Sequence, residues 1–223
     1  HNLLAYSEPI HKALGKKVVL IEVVRHPLYM LIQQTLNQIN HFESPGTARQ
    51  FNIFIKHKDK QLPYLNFGQE ELYLRSNPVE RAIYEMQKIS DLTESFKDKF
   101  KGSYGRQILT IPFERFVLDP WLYMRRMGDF LATKMTSKTR KVMKKQNVPR
   151  GRISDGIPLD IYKRCGWEPP EKELNEQQEL VKRRQFAIEQ GASKKAMSVL
   201  DRMCHDYEEK YLSTVSGLKR SAM

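Results

Sequence analysis

The chain has 223 residues, 40% of them hydrophobic and 29% charged, and 38 Lys and Arg against 26 Asp and Glu give a net charge of +12. This composition excludes a disordered chain, and the lack of any apolar run near 18 residues excludes a bilayer-spanning helix. The charge calls for an anionic partner: nucleic acid, a phosphorylated cofactor, a sulfated or acidic substrate, or anionic lipid.

The first strong signal is Val18-Val-Leu-Ile-Glu-Val-Val24, following a helix-like stretch that ends near Gly15. A nearly continuous apolar run of this length predicts a central parallel strand covered on both faces. Pro27 suits a first helical turn, and Leu28, Leu31, Ile32, Leu36 and Ile39 recur at helical spacing. Pro45-Gly46 ends that helix. Alternation through Phe51, Ile53 and Ile55, then 62–67 beyond Lys58-Asp59-Lys60, predicts a surface hairpin. Asn77-Pro78 caps and opens a long helix with Ile83, Met86, Ile89, Phe96 and Phe100 on its apolar face. Residues 108–117 read as the second buried strand. Asp119 then caps a helix whose first residue is Pro120. Residues 136–146 form a short basic helix, 148–156 a loop bearing Gly and Arg, and the chain from 171 onward is helical, interrupted at Gly191.

Alternating strands and helices predict an α/β fold on a parallel sheet with helices on both faces. Two buried strands are few for such a sheet, so further strands are expected before His1. The expected organisation is an α/β domain over 1–168 and a helical extension over 169–223 packed on it. Cys165 and Cys204 lie too far apart in sequence to suggest a disulfide framework or zinc cluster, and no secretory signal is visible. Both point to a reducing, cytoplasmic setting. His11, His41, His57 and His205 lack metal-ligand spacing.

Three stretches could carry chemistry. Arg25 ends the first strand beside a helix start, where ligands of parallel sheets bind. Its guanidinium and the helix N–H groups would suit an anion, although an Arg closing the strand against a carboxylate fits the same pattern. In Ile111-Pro-Phe-Glu-Arg-Phe-Val-Leu-Asp-Pro120, Glu114 could orient a basic loop, but a structural role weighs more. The basic run Lys138, Arg140, Lys141, Lys144, Lys145, Arg150 and Arg152 could form a mobile lid over phosphates around Gly151, or a solvated face.

Together these stretches resemble the sulfotransferases that use 3′-phosphoadenosine 5′-phosphosulfate (PAPS). Val18 to Val24 followed by Arg25-His26-Pro27 is similar to that family's strand ending in Arg-x-Pro. The 111–120 segment, with Arg125-Arg126 and Phe130-Leu131, looks like its Tyr-Glu-Asp-Leu-x-x-Asp-Pro, Leu-Arg-Arg and Phe-Leu segment. Pro149-Arg-Gly-Arg152 resembles its late Arg-Lys-Gly loop. The resemblance implies a parallel-sheet fold of P-loop type and transfer of a sulfuryl group from PAPS to a hydroxyl or amine of a small-molecule or glycan acceptor, without metal. It assigns His1 as catalytic base, and Arg25, Gln33, Arg150, Gly151 and Arg152 to the cofactor. Gln33 stands where the family has Ser, and the family's Pro-Lys-Ser/Thr-Gly-Thr-Thr phosphosulfate loop is not in these residues; it is expected upstream. Arg75-Ser-Asn-Pro-Val-Glu-Arg81 resembles a motif of heparan-type sulfotransferases but reads here as a helix start. The competing readings are a basic module that binds nucleic acid, and a catalytically inactive member of the family serving as a scaffold.

Overall fold

The computed structural model describes residues 4–43, 53–104, 107–157 and 166–213. The order of elements is α1 (Glu8–Leu14), β1 (Leu20–Val24), α2 (Pro27–Glu43), β2 (Phe54–His57), β3 (Lys60–Pro63), α3 (Glu70–Arg75), α4 (Pro78–Tyr104), β4 (Ile108–Pro112), α5 (Phe113–Leu118), α6 (Trp121–Phe130), α7 (Ser137–Lys145), α8 (Glu176–Glu189) and α9 (Lys194–Tyr207), which runs into a π-helical turn (Glu208–Leu212). The protein is α/β and mostly helical.

β1 and β4 pair in parallel, with Leu20 opposite Ile108 and Val24 opposite Pro112. β2 and β3 form the expected antiparallel hairpin, turning at Lys58, which takes a left-handed φ of 53°. Asn77 caps α4 as expected: its Oδ1 accepts from the Glu80 N–H. Pro112 lacks the N–H that would extend the β4 ladder, so the strand expected to reach 117 stops there and α5 begins at once. Asp119 does not cap α6; Pro120 occupies that position and its carbonyl accepts from the Met124 N–H.

The sheet departs from expectation in its burial. On one face, Leu20 and Ile108 pack with Leu4 and Phe96 of α4. Glu22 accepts from Thr110 Oγ1 at 2.6 Å and pairs with Lys97 of α4 at 2.7 Å. On the other face Val19, Ile21 and Val23 are 47%, 38% and 59% exposed. Among the described residues β1 is therefore a half-covered strand paired only with β4, not a central strand, and helices do not cover both faces. An apolar run states what two faces would accept; it does not supply a cover for each.

The main core lies between helices. Leu28 and Leu31 of α2, Val79, Ile83 and Met86 of α4, Ala187 of α8, and Ala196, Met197 and Leu200 of α9 form one buried cluster. The helices after residue 169 thus supply part of the central core. That packing fixes the last turns of α9 against the carboxyl ends of β1 and β4, where the candidate site lies.

Candidate functional site

Two arginines meet at those strand ends. Arg25 leaves β1 with its guanidinium carbon 4.6 Å from the centre of the Phe113 ring, the first residue past β4. Arg150 comes from the turn after α7, and its guanidinium carbon lies 5.4 Å from the same ring centre. The Arg150 N–H donates to the Val117 carbonyl of α5 at 2.7 Å, which anchors the turn there, and Nη1 donates to the Ile153 carbonyl at 2.8 Å. Its Nε is buried without a hydrogen-bond partner among the described residues.

Beside them Glu114 is 3% exposed. Oε1 accepts from the His26 backbone N–H at 3.0 Å, Oε2 accepts from the Tyr207 hydroxyl of α9, and Arg25 Nε stands 4.0 Å from Oε1. Burial, and then the Glu114 charge, push the Tyr207 phenol well above its ordinary range, so the hydroxyl remains a donor at any working pH. His26 is fully buried. Its Nδ1 accepts from the Leu28 N–H at 3.2 Å, which leaves the proton on Nε2, placed 3.1 Å from Glu208 Oε1. His26 is therefore the cap of α2.

That capping corrects one expectation. The N–H groups at the start of α2 were expected to serve an anion beside Arg25. The Leu28 N–H is taken by the His26 ring, the Tyr29 N–H by the His26 carbonyl, and the His26 N–H by Glu114. Cationic character at these strand ends comes from the guanidinium groups.

Arg152, assigned to the cofactor by resemblance, is used inside the protein. Its Nε and Nη2 donate to Asp155 Oδ1 at 3.1 and 2.8 Å. Its Nη1 points at the carbonyls of Lys172, Glu171 and Leu174 at 2.7, 3.2 and 3.3 Å. Hydrogen bonding from Arg152 holds the Asp155 carboxyl below its usual range. Ile153 is buried, Asn147 Nδ2 donates to the Asp155 carbonyl at 2.6 Å, and the Ser154 hydroxyl donates to Glu179 of α8. The segment expected to be a mobile lid is thus a hydrogen-bonded turn with an apolar anchor. Gly151 is exposed, and a Cβ there would meet Asp155 Oδ2 at 3.4 Å, an ordinary contact. Gly156 is the tighter position: a Cβ would lie 3.1 Å from both terminal nitrogens of Arg150.

Gln33 is half-buried on the second turn of α2. His1 lies outside the described residues, as does Cys165. The structure therefore brings together Arg25 and Arg150 of the expected set and commits Arg152 elsewhere. Sequence reasoning passed over Phe113 and Tyr207. Phe113 was hidden because the strand was expected to run through it to 117, and Tyr207 because 93 residues separate it from Glu114.

Among the described residues, no group of three His, Cys, Asp or Glu side chains is placed to hold a metal ion, and no helix is long and apolar enough to cross a membrane. Compared with family models, curated proteins and solved structures, the chain shows no match.

Proposed function

We propose that the carboxyl ends of β1 and β4 bind the phosphate of a 3′-phosphorylated adenine nucleotide, and that the protein serves PAPS-dependent sulfuryl transfer to a hydroxyl or amine. One observation carries the reading: Arg25 and Arg150, from segments more than a hundred residues apart in sequence, lie over one aromatic ring at a parallel strand end. Glu114 beside Arg25 already accepts from a backbone N–H and a phenol, and Asp155 near Arg150 already accepts from Arg152. Arg150 Nε is a buried donor with no acceptor among the described residues. That donor set fits a phosphate, which guanidinium groups grip by paired charge-assisted hydrogen bonds.

PAPS, when bound, supplies the sulfuryl group. Arg25 and Arg150 would neutralise and orient the phosphate, with Phe113 setting the planes of both guanidinium groups. Positioning and charge balance of this kind account for much of the catalysis of phosphoryl transfer, and sulfuryl transfer has similar demands. The base is His1 by resemblance.

The test is calorimetric titration with 3′-phosphoadenosine 5′-phosphate. Losing one charge-assisted contact in Arg25→Ala or Arg150→Ala removes about 1.5–3 kcal/mol, roughly a 10–150-fold loss of affinity. Unchanged affinity in both variants, or no binding by the wild type, overturns the reading.

A second reading has its own observation. Lys138, Arg140, Lys141, Lys144 and Lys145 of α7 are exposed and form no ion pair among the described residues, whereas Lys12, Lys97, Lys99, Lys182 and Lys210 elsewhere do. If the protein ignores the nucleotide but binds RNA with a steep salt slope, α7 is a nucleic-acid surface.

A further inference from the structure

The chain leaves the last turn of α5 after Val117 and returns at Arg150, whose N–H donates to the Val117 carbonyl at 2.7 Å. Between those points lie α6, a turn closed by the Thr133 N–H on the Gly128 carbonyl at 2.8 Å, and α7, capped by Thr136. Of residues 121–145 only Tyr123 and Met143 are buried. The segment carries eight Lys and Arg against one acid, Asp129, so more than half of the net charge of +12 lies on it. Among the described residues none of the eight is ion-paired.

Apolar side chains share these cationic faces. On α6, Trp121, Leu122, Arg125 and Arg126 are exposed at spacings that put them on one face, while Tyr123 turns inward. On α7, Lys138, Lys141, Val142 and Lys145 fall at i, i+3, i+4 and i+7, opposite buried Met143. Trp121, Leu122, Val142 and Leu131 of the intervening turn are 41%, 38%, 52% and 44% exposed.

Both features are unfavourable in water alone. Lys141 stands four residues from Lys145 and three from Lys138 and Lys144, and like charges so spaced weaken a helix. Exposed aliphatic and indole surface adds to that cost. An anionic bilayer surface relieves both. Headgroup phosphates and carboxylates neutralise the cations, the long Lys and Arg stems reach up to them, and the apolar side chains settle at the headgroup–acyl boundary. Nucleic acid answers only the charge. Its recognition uses phosphate contacts, stacking rings and hydrogen bonds to base edges, and Leu122, Leu131 and Val142 offer none of these.

We propose that residues 121–145 dock on an anionic phospholipid surface, with their cations at the headgroups and Trp121, Leu122, Leu131 and Val142 at the headgroup–acyl boundary. The proposal goes beyond the nucleotide site and does not rest on it.

The test is flotation of the full chain with phosphatidylcholine vesicles, with and without one-third phosphatidylserine, in the absence of nucleotide. Binding should require phosphatidylserine and weaken as salt rises. A Lys or Arg near an anionic surface contributes roughly fivefold, so Lys138→Gln/Lys141→Gln/Lys145→Gln should bind about 30- to 150-fold more weakly. Trp121→Gln/Val142→Gln keeps every charge and should still lose roughly tenfold. All five positions are exposed, so both variants should melt with the wild type. In Trp167→Phe, which leaves Trp121 as the one indole, emission should shift to the blue on the phosphatidylserine vesicles.

No binding to those vesicles overturns the proposal. So does binding that Trp121→Gln/Val142→Gln leaves intact, or Trp121 emission that does not move, since either is adsorption by charge alone. Single-stranded RNA that displaces the protein from the vesicles, and binds wild type and Trp121→Gln/Val142→Gln equally, assigns the face to nucleic acid instead. Arg25 and Arg150 are untouched throughout, so titration with 3′-phosphoadenosine 5′-phosphate reports on the nucleotide site separately: failure there leaves the lipid surface standing, and failure on vesicles leaves the nucleotide site standing.

Discussion

Arg152→Ala separates an arginine that holds the protein together from one that meets a ligand. Its guanidinium makes two bonds to Asp155 and bonds to carbonyls of the 171–174 segment, so the substitution releases the turn from the chain leading into α8. Arg152 and Asp155 are 29% and 32% exposed, and solvent screening keeps such a pair to about 0.2–1 kcal/mol. The charged donor on the 171–174 carbonyls adds about 1–2 kcal/mol. The Arg152 backbone bond to Asp155 Oδ2 survives the change. A total of about 1.2–3 kcal/mol should lower the melting temperature by about 2–12 °C in a chain of this size.

The assay is calorimetric melting beside nucleotide titration, with Arg150→Ala in parallel. Arg152→Ala should lose stability while keeping most of its affinity, and Arg150→Ala should lose affinity. The pH dependence sharpens the comparison. Asp155 titrates below its ordinary 3.8 in the folded protein, so its stabilisation is complete above that value and is lost as pH falls through the folded one. The stability gap between wild type and Arg152→Ala should therefore be full at pH 6 and shrink below about pH 4. A variant that melts within about 1 °C of wild type and loses as much affinity as Arg150→Ala would refute the assignment and restore Arg152 as a ligand contact.

Gly156→Ala places a methyl 3.1 Å from the Arg150 guanidinium, a flexible head that can yield, so titration should show weaker nucleotide binding with melting shifted by no more than a few degrees. Gly128→Ala meets the Thr133 carbonyl of the backbone at 2.9 Å, which cannot yield as easily, and urea unfolding should show about 1–3 kcal/mol lost with affinity unchanged. Leu200→Ala empties a fully buried position between α2, α4 and α9 and should lose about 2–5 kcal/mol in urea, as a core residue rather than part of an appendage. Glu85 accepts from Gln38 Nε2 at 2.7 Å and Asn66 Nδ2 at 2.9 Å, but burial raises its pKa above 4.5. Its contribution is then most favourable below that value and declines as pH rises through the folded one, so stability of Glu85→Gln relative to wild type should improve between pH 4.5 and 7 in paired urea curves.

What the sequence disclosed, and what it did not, follows the distance over which each feature is decided. α2 and α4 were legible because Pro27, Asn77 and Pro78 act within one turn of themselves. The hairpin was legible because two residues set its turn. β1 was legible as a strand, yet not as a half-covered one, because cover is supplied by other parts of the chain. Lys97, which pairs with Glu22 in the middle of that strand, is 75 residues away. The arginines divide in the same way. Arg150 and Arg152 sit in one basic turn with glycine between, and Asp155 lies within five residues of both, so the sequence does not say which of them it takes. The acceptors within reach distinguish them. Asp155 and the 171–174 carbonyls surround the Arg152 guanidinium, whereas those of Arg25 and Arg150 lie over the Phe113 ring, with Glu114 near Arg25 and the Ile153 carbonyl taking Arg150 Nη1. A guanidinium whose donors are saturated by protein oxygens has little left to give a phosphate, whatever motif it occupies. A guanidinium laid on a ring keeps its edge donors for an anion in the ring's plane or beyond it. The chemistry of a basic loop is thus shaped by the oxygens that fold back on it, and here they hold Arg152 inside the protein.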